Sequence, residues 1–184
     1  LETRASAFAI VASEGAGASQ TFLRLVHAGE ELGRGGGHAA ACVAGEVADP
    51  REVHRRIDAV NAGGLEAVVD ATMDRWFSKP FQQTEAFHAW RNLFLRTPAE
   101  GWTGCGAAIA GTDFYSTTAA LRLPTLGIAG SEDGSTPPDL VRETAELVPG
   151  AQFALIRGAG HLPCVEKPEE YAAILSDFLK SQGA

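Results

Sequence analysis

Strand–helix–strand patterns flank a long stretch that reads as helix alone, and that arrangement excludes most folds for this chain. Residues 7–12 form a continuous apolar run closed by Ser13, Glu14 and Gly15. A short apolar run bounded by glycine suits a strand buried on both faces of a parallel sheet. Ala18, Phe22, Leu25, Gly29 and Leu32 then recur at steps of three and four, which is one face of a helix. Gly33 and the run Gly35, Gly36, Gly37 end that helix, and residues 38–44 read as a second buried strand. Strand, helix, strand in this order predicts a βαβ unit with a right-handed crossover.

From residue 49 to 120 the alternation stops. Val53, Ile57 and Val60 make one helical stripe, Leu65, Val68, Val69 and Met73 a second, and Phe87, Trp90 and Phe94 a third. Thr97, Pro98, Ala99 and Glu100 have the spacing of a capping box with proline at the first helical position. An all-helical insertion between strands is expected to form a lid. The alternation resumes with a strand over residues 124–130, a helix opened by Pro137 and Pro138 and running to about Val148, and a strand over residues 152–156. Pro168 opens a last helix whose inward face is Tyr171, Ile174, Leu175 and Phe178. The expected organisation is therefore core over 1–48, helical lid over 49–120 and core over 121–184, in an α/β fold with a mostly parallel sheet flanked by helices.

Hydrophobic residues make up 45% of the chain and charged residues 21%, a globular profile with enough apolar surface for one core. A formal net charge of -8 leaves no basic stripe to neutralise phosphates, which argues against nucleic acid as a partner. No apolar run approaches ~20 residues, so no membrane span is expected. The 3 cysteines, Cys42, Cys105 and Cys164, are scattered without the spacing of a zinc site and read as reduced residues of a cytoplasmic protein.

Chemistry is expected in two loops that follow the last two strands, residues 130–138 with Asp133 and residues 158–163 with His161. Ligands of open parallel sheets bind outside the carboxyl ends of the strands, where both loops fall. An Asp that orients a His, which in turn deprotonates a hydroxyl, is a general arrangement for activating a nucleophile. Ser13 stands on a tight strand-to-helix turn after the first strand. Such an elbow lifts the side chain off the sheet and aims the next backbone N–H, that of Glu14, at a developing oxyanion. His27 and His54 read as exposed helix residues, His38 as a strand start and His88 as a lid surface residue. The lid aromatics Trp76, Phe77, Phe87, Trp90 and Trp102 read mostly as core.

The order Ser, Asp, His along the chain resembles the α/β-hydrolase superfamily. Within it the sequence is similar to the 3-oxoadipate enol-lactonase-like group, through residues 62–67 and 75–77, residues 97–102, residues 124–138 and residues 158–162. The resemblance implies hydrolysis of a small ester or lactone through an acyl-enzyme, without metal or other cofactor. By position it implies Ser13 as nucleophile, His161 as base, Asp133 as orienting acid and the Glu14 backbone N–H as an oxyanion donor. Arg75, Trp76, Trp102 and Leu162 match positions expected to contact a compact, small-molecule substrate.

Two features depart from the family pattern. The elbow reads Val11, Ala12, Ser13, Glu14, Gly15 where the family has Gly-x-Ser-x-Gly; valine crowds the turn, and the Glu14 carboxylate opposes negative charge forming beside it. The family's N-terminal strands precede its elbow strand, so a separate N-terminal segment or partner chain is expected to complete the sheet, since an open apolar edge invites association. An alternative to acyl transfer is a hydrolase-like protein that binds or cyclises a small apolar molecule in the lid cavity. C–C bond hydrolysis or perhydrolysis on the same scaffold is a third reading.

Overall fold

A computed structural model describes residues 50–110, 115–122 and 124–182. The strands expected at 7–12 and 38–44, the helix between them, Ser13, Glu14, His27, His38 and Cys42 lie outside the described residues.

The first described part is helical. Helix α1 (Pro50–Gly63) is followed by a 3-10 turn (Leu65–Ala67), α2 (Val69–Trp76), a second 3-10 turn (Phe81–Gln83), α3 (Glu85–Leu95), α4 (Ala99–Ala110) and the short α5 (Tyr115–Ala119). Each expected stripe faces inward. Val60, Leu65, Val68, Val69, Met73, Trp76, Phe77, Phe94, Trp102 and Leu162 form one buried cluster, with Ile57, Phe87 and Trp90 packed against it. Gly106 of α4 faces α1, where a Cβ would make ordinary contacts with Ile57 and Val53 at 3.5 Å. The rings of Phe77 and Phe81 stack at 5.0 Å, and Phe87 meets Phe77 edge-on at 5.7 Å.

The capping box expected at Thr97 does not form. The Thr97 hydroxyl donates back to the Leu93 carbonyl at 3.4 Å, and α4 begins at Ala99 with the Pro98 carbonyl taking its first N–H groups. Thr97 is bound into the end of α3, because its own N–H reaches the Phe94 carbonyl, so its side chain is drawn to the preceding helix. The side-chain cap lies instead at Thr84, whose hydroxyl oxygen accepts from the Phe87 N–H at 3.2 Å and starts α3.

The second part is a βαβ unit. Strand β1 (Leu126–Gly130) pairs in parallel with β2 (Gln152–Ile156), with Leu126 opposite Gln152 and Gly130 opposite Ile156. Helix α6 (Pro138–Glu146) connects them and packs Val141 and Ala145 over Gly127. Pro137 and Pro138 start α6 as expected, because a fixed φ suits the first turn and the missing N–H costs nothing there. Every residue of β1 is buried, as its unbroken apolar run requires. A four-residue helix α7 (Pro163–Glu166) leads into α8 (Pro168–Ser181). Phe178 of α8 is buried with Leu126, Ile128, Ile156 and Ala159, and Tyr171 and Ile174 pack beside it. Both clusters reach the residues next to His161: Ala159 belongs to the second and Leu162 to the first.

Candidate active site

Two turns at the carboxyl ends of β1 and β2 meet, and backbone bonds lock them together. Ser131 N–H donates to the Ile156 carbonyl at 2.9 Å and Glu132 N–H to the Ala159 carbonyl at 2.8 Å. Gly158 N–H donates to Ser131 Oγ at 2.8 Å. The approach is close enough that a Cβ on Gly130 would collide with the carbonyl oxygens of Ala159 and Gly160, so only glycine fits at the end of β1.

This crossing brings Asp133 and His161 into a direct hydrogen bond, His161 Nδ1 to Asp133 Oδ2 at 2.9 Å, with both side chains buried. Every other bond to the Asp133 carboxyl is one it accepts. Oδ1 takes the backbone N–H of Ser135 at 2.7 Å and of Thr136 at 2.9 Å, while Oδ2 takes the Thr136 hydroxyl at 2.9 Å. A group that only accepts is a carboxylate, so the hydrogen of the pair resides on Nδ1. With Nδ1 engaged by Asp133, Nε2 is the ring nitrogen left to act as a base. Thr136 Oγ1 also lies 3.2 Å from Nδ1, where it accepts a share of the same N–H. The histidine tautomer is thus fixed by two partners from one turn.

The helical part supports both loops from below. At the end of α2 the Arg75 carbonyl accepts from Gly134 N–H at 3.0 Å and the Trp76 carbonyl from His161 N–H at 2.7 Å. The Trp76 indole stacks on the imidazole, 6.0 Å between centroids and 29° between planes. Trp76, Trp102 and Leu162 are buried in the first cluster, and Arg75 is half-buried with its guanidinium on Thr72 Oγ1 at 3.4 Å. Trp102 Nε1 is buried and has no hydrogen-bond partner among the described residues. His54 and His88 are exposed and stand apart from the pair.

Two residues at this site were not singled out from the sequence. Thr136 is visible only as part of the loop motif, three residues after Asp133. Glu166 lies in α7, and its carboxylate accepts from Gly160 N–H at 2.8 Å and from Ser78 N–H at 3.2 Å, with the Ser78 hydroxyl on its other oxygen. A carboxylate five residues past a loop histidine looks like surface charge in a sequence, so only its partners reveal it. Among the described residues no group of three His, Cys, Asp or Glu side chains is placed to hold a metal ion. None of the described helices is long and apolar enough to cross a membrane.

The fold that brings Asp133 and His161 together at the ends of two parallel strands is shared with solved structures. The enol-lactonase from Burkholderia xenovorans LB400 superposes with a TM-score of 0.68 at 26% identity, over 71% of this chain and 51% of that one. An esterase from Thermogutta terrifontis shares the fold with a TM-score of 0.72 at 22% identity, over 89% of this chain and 62% of that one. The chain has the α/β-hydrolase fold. Among proteins of that fold it is similar to the enol-lactonase-like group. It is 35% identical over 128 residues to 3-oxoadipate enol-lactonase 1 of Acinetobacter baylyi, matching 68% of this chain and 48% of that protein. The chain therefore spans about half the length of that curated relative. No protein-family model matches the sequence.

Proposed function

We propose that this chain is a serine-type hydrolase that cleaves a small carboxylic ester or lactone through a triad of Ser13, His161 and Asp133. The observation that supports this reading most is the 2.9 Å bond between the buried Asp133 carboxylate and His161 Nδ1. Similarity to an enol-lactonase at 35% identity points to the substrate class. Ser13 is the proposed nucleophile. His161 Nε2 takes the proton from the Ser13 hydroxyl as Oγ bonds to the substrate carbonyl carbon. The carbonyl oxygen gains the negative charge and is met by the Glu14 N–H. Nε2 then returns the proton to the leaving alkoxide or enolate oxygen as the C–O bond breaks, leaving an acyl-Ser13. Water, deprotonated by the same nitrogen, hydrolyses that ester and restores the hydroxyl. Asp133 stabilises the imidazolium that forms in each step. Arg75, Trp76, Trp102 and Leu162 are proposed to meet the substrate, Trp102 through an indole N–H that has no hydrogen-bond partner among the described residues.

A fluorophosphonate probe with intact-mass detection tests the nucleophile. Labelling of the wild-type chain that disappears in Ser13→Ala supports the assignment. A folded chain that takes no label supports instead a protein that binds or cyclises a small apolar molecule, the reading that Val11 and Glu14 at the elbow favour.

A further inference from the structure

The Glu166 carboxylate joins two segments of backbone. One is the His161 loop, through Gly160 N–H at 2.8 Å. The other is the segment leaving α2, through Ser78 N–H at 3.2 and 3.3 Å to its two oxygens and through the Ser78 hydroxyl. Between these contacts the same two segments are tied directly, by His161 N–H on the Trp76 carbonyl at 2.7 Å. Gly160 and Ser78 are both buried. Without the carboxylate their N–H groups would lie in the interior with no acceptor, and such groups drive local rearrangement. Space is tight as well. A Cβ on Gly160 would collide with the Trp76 carbonyl oxygen and sit 2.9 Å from Glu166 Oε1.

We propose that Glu166 is a positioning residue for the Asp133–His161 pair. Its carboxylate sets the distance between the helical segment at Ser78 and the backbone one residue before His161, and so holds the imidazole at Asp133. The reason lies in what a carboxylate offers at this point. Two oxygens accept three donors converging from two chain segments, a task that an amide with its own two N–H donors cannot match. Gly160 N–H lies on the peptide that enters Gly160 and the His161 N–H on the peptide that leaves it, so release of Gly160 N–H frees the φ and ψ of Gly160 and with them the placement of the His161 N–H and Cα. The inference rests on the hydrolytic reading for its kinetic consequence and on geometry alone for its spectroscopic one.

The test uses the full chain and Glu166→Gln, with proton NMR of the His161 Nδ1–H as a readout that needs no substrate. The expected result is a folded variant in which that resonance moves upfield or broadens away, because the bond to Asp133 lengthens. If the chain hydrolyses an aryl ester, kcat should fall about 10- to 100-fold with KM changed less than about threefold. An unchanged resonance in folded Glu166→Gln overturns the proposal whether or not the chain is active. A shifted resonance with wild-type kcat overturns it too, because the pair would then tolerate the displacement. A chain without activity sinks the hydrolytic reading and leaves the resonance to decide the positioning role. Should Glu166→Gln fail to fold, Ser78→Ala removes one of the donors and must shift the same resonance in the same direction; no shift overturns the proposal.

Discussion

At the scale of single residues, the site depends on which atoms can donate. Asp133 only accepts, from two backbone N–H groups, one hydroxyl and one imidazole, and this fixes the hydrogen on His161 Nδ1. Asp133→Asn places an amide where a carboxylate was. Its oxygen would still be able to accept from Ser135 and Thr136, but its NH2 would then face His161 and select the other tautomer. We expect kcat to fall by about 10³- to 10⁴-fold with stability little changed, measured on an aryl ester beside a denaturant titration. Asp133 and His161 were legible in the sequence because each stands in a glycine-rich turn after an apolar run. Thr136 and Glu166 were not, because their roles depend on partners distant in the chain: Glu166 meets Ser78, 88 residues before it. No local pattern encodes such a pair.

At the scale of elements, the turn out of α2 carries more than its length suggests. Arg75 and Trp76 bond to the Asp133 and His161 loops and Ser78 to Glu166, and Phe77 between them is 2% exposed and packs on Phe81, Phe87 and Trp90. Phe77→Ala removes that anchor and should cost about 3–5 kcal/mol by chemical denaturation. The result should include weakening of the His161 N–H bond to the Trp76 carbonyl, read as faster amide exchange at His161. A loss below about 1 kcal/mol would mean that the aromatic cluster does not hold the turn. Periodicity predicted the inward stripes of α1 to α3 and the face of α8, since burial there follows one face of a helix. It misplaced the cap before α4, because a threonine that ends one helix and precedes the next has two backbones to choose from. The four-residue α7 was also invisible: one turn is too short to show a period.

At the scale of the whole molecule, Cys164, Tyr171 and Asp74 tie stability to pH. Burial pushes the Cys164 thiol above its ordinary value of 9.0, and the Tyr171 hydroxyl is raised for the same reason. The sign follows from the raised folded values: these groups favour the folded chain while protonated. Their contribution is complete below the unfolded values and is lost as pH rises through the folded ones. Below pH 9.0, Cys164 should alkylate slowly in the folded chain and much faster in denaturant, as peptide mapping after iodoacetamide would show. Equal rates in the two states would mean that the thiol is not held in apolar surroundings. Asp74 behaves in the opposite sense. The Lys79 ammonium that donates to it holds its carboxyl below 3.8, so its small, salt-screened contribution is present above that value and lost in acid.

Turnover in His161→Ala bears most directly on the claim that a buried Asp–His pair activates a nucleophile. The variant removes the base and keeps Asp133 with its two backbone N–H donors and the Thr136 hydroxyl. On an enol-lactone or aryl ester the account predicts that kcat falls by about 10³-fold or more while the substrate dissociation constant stays within a few-fold of wild type. A folded His161→Ala variant that hydrolyses the substrate as fast as the wild type would contradict it.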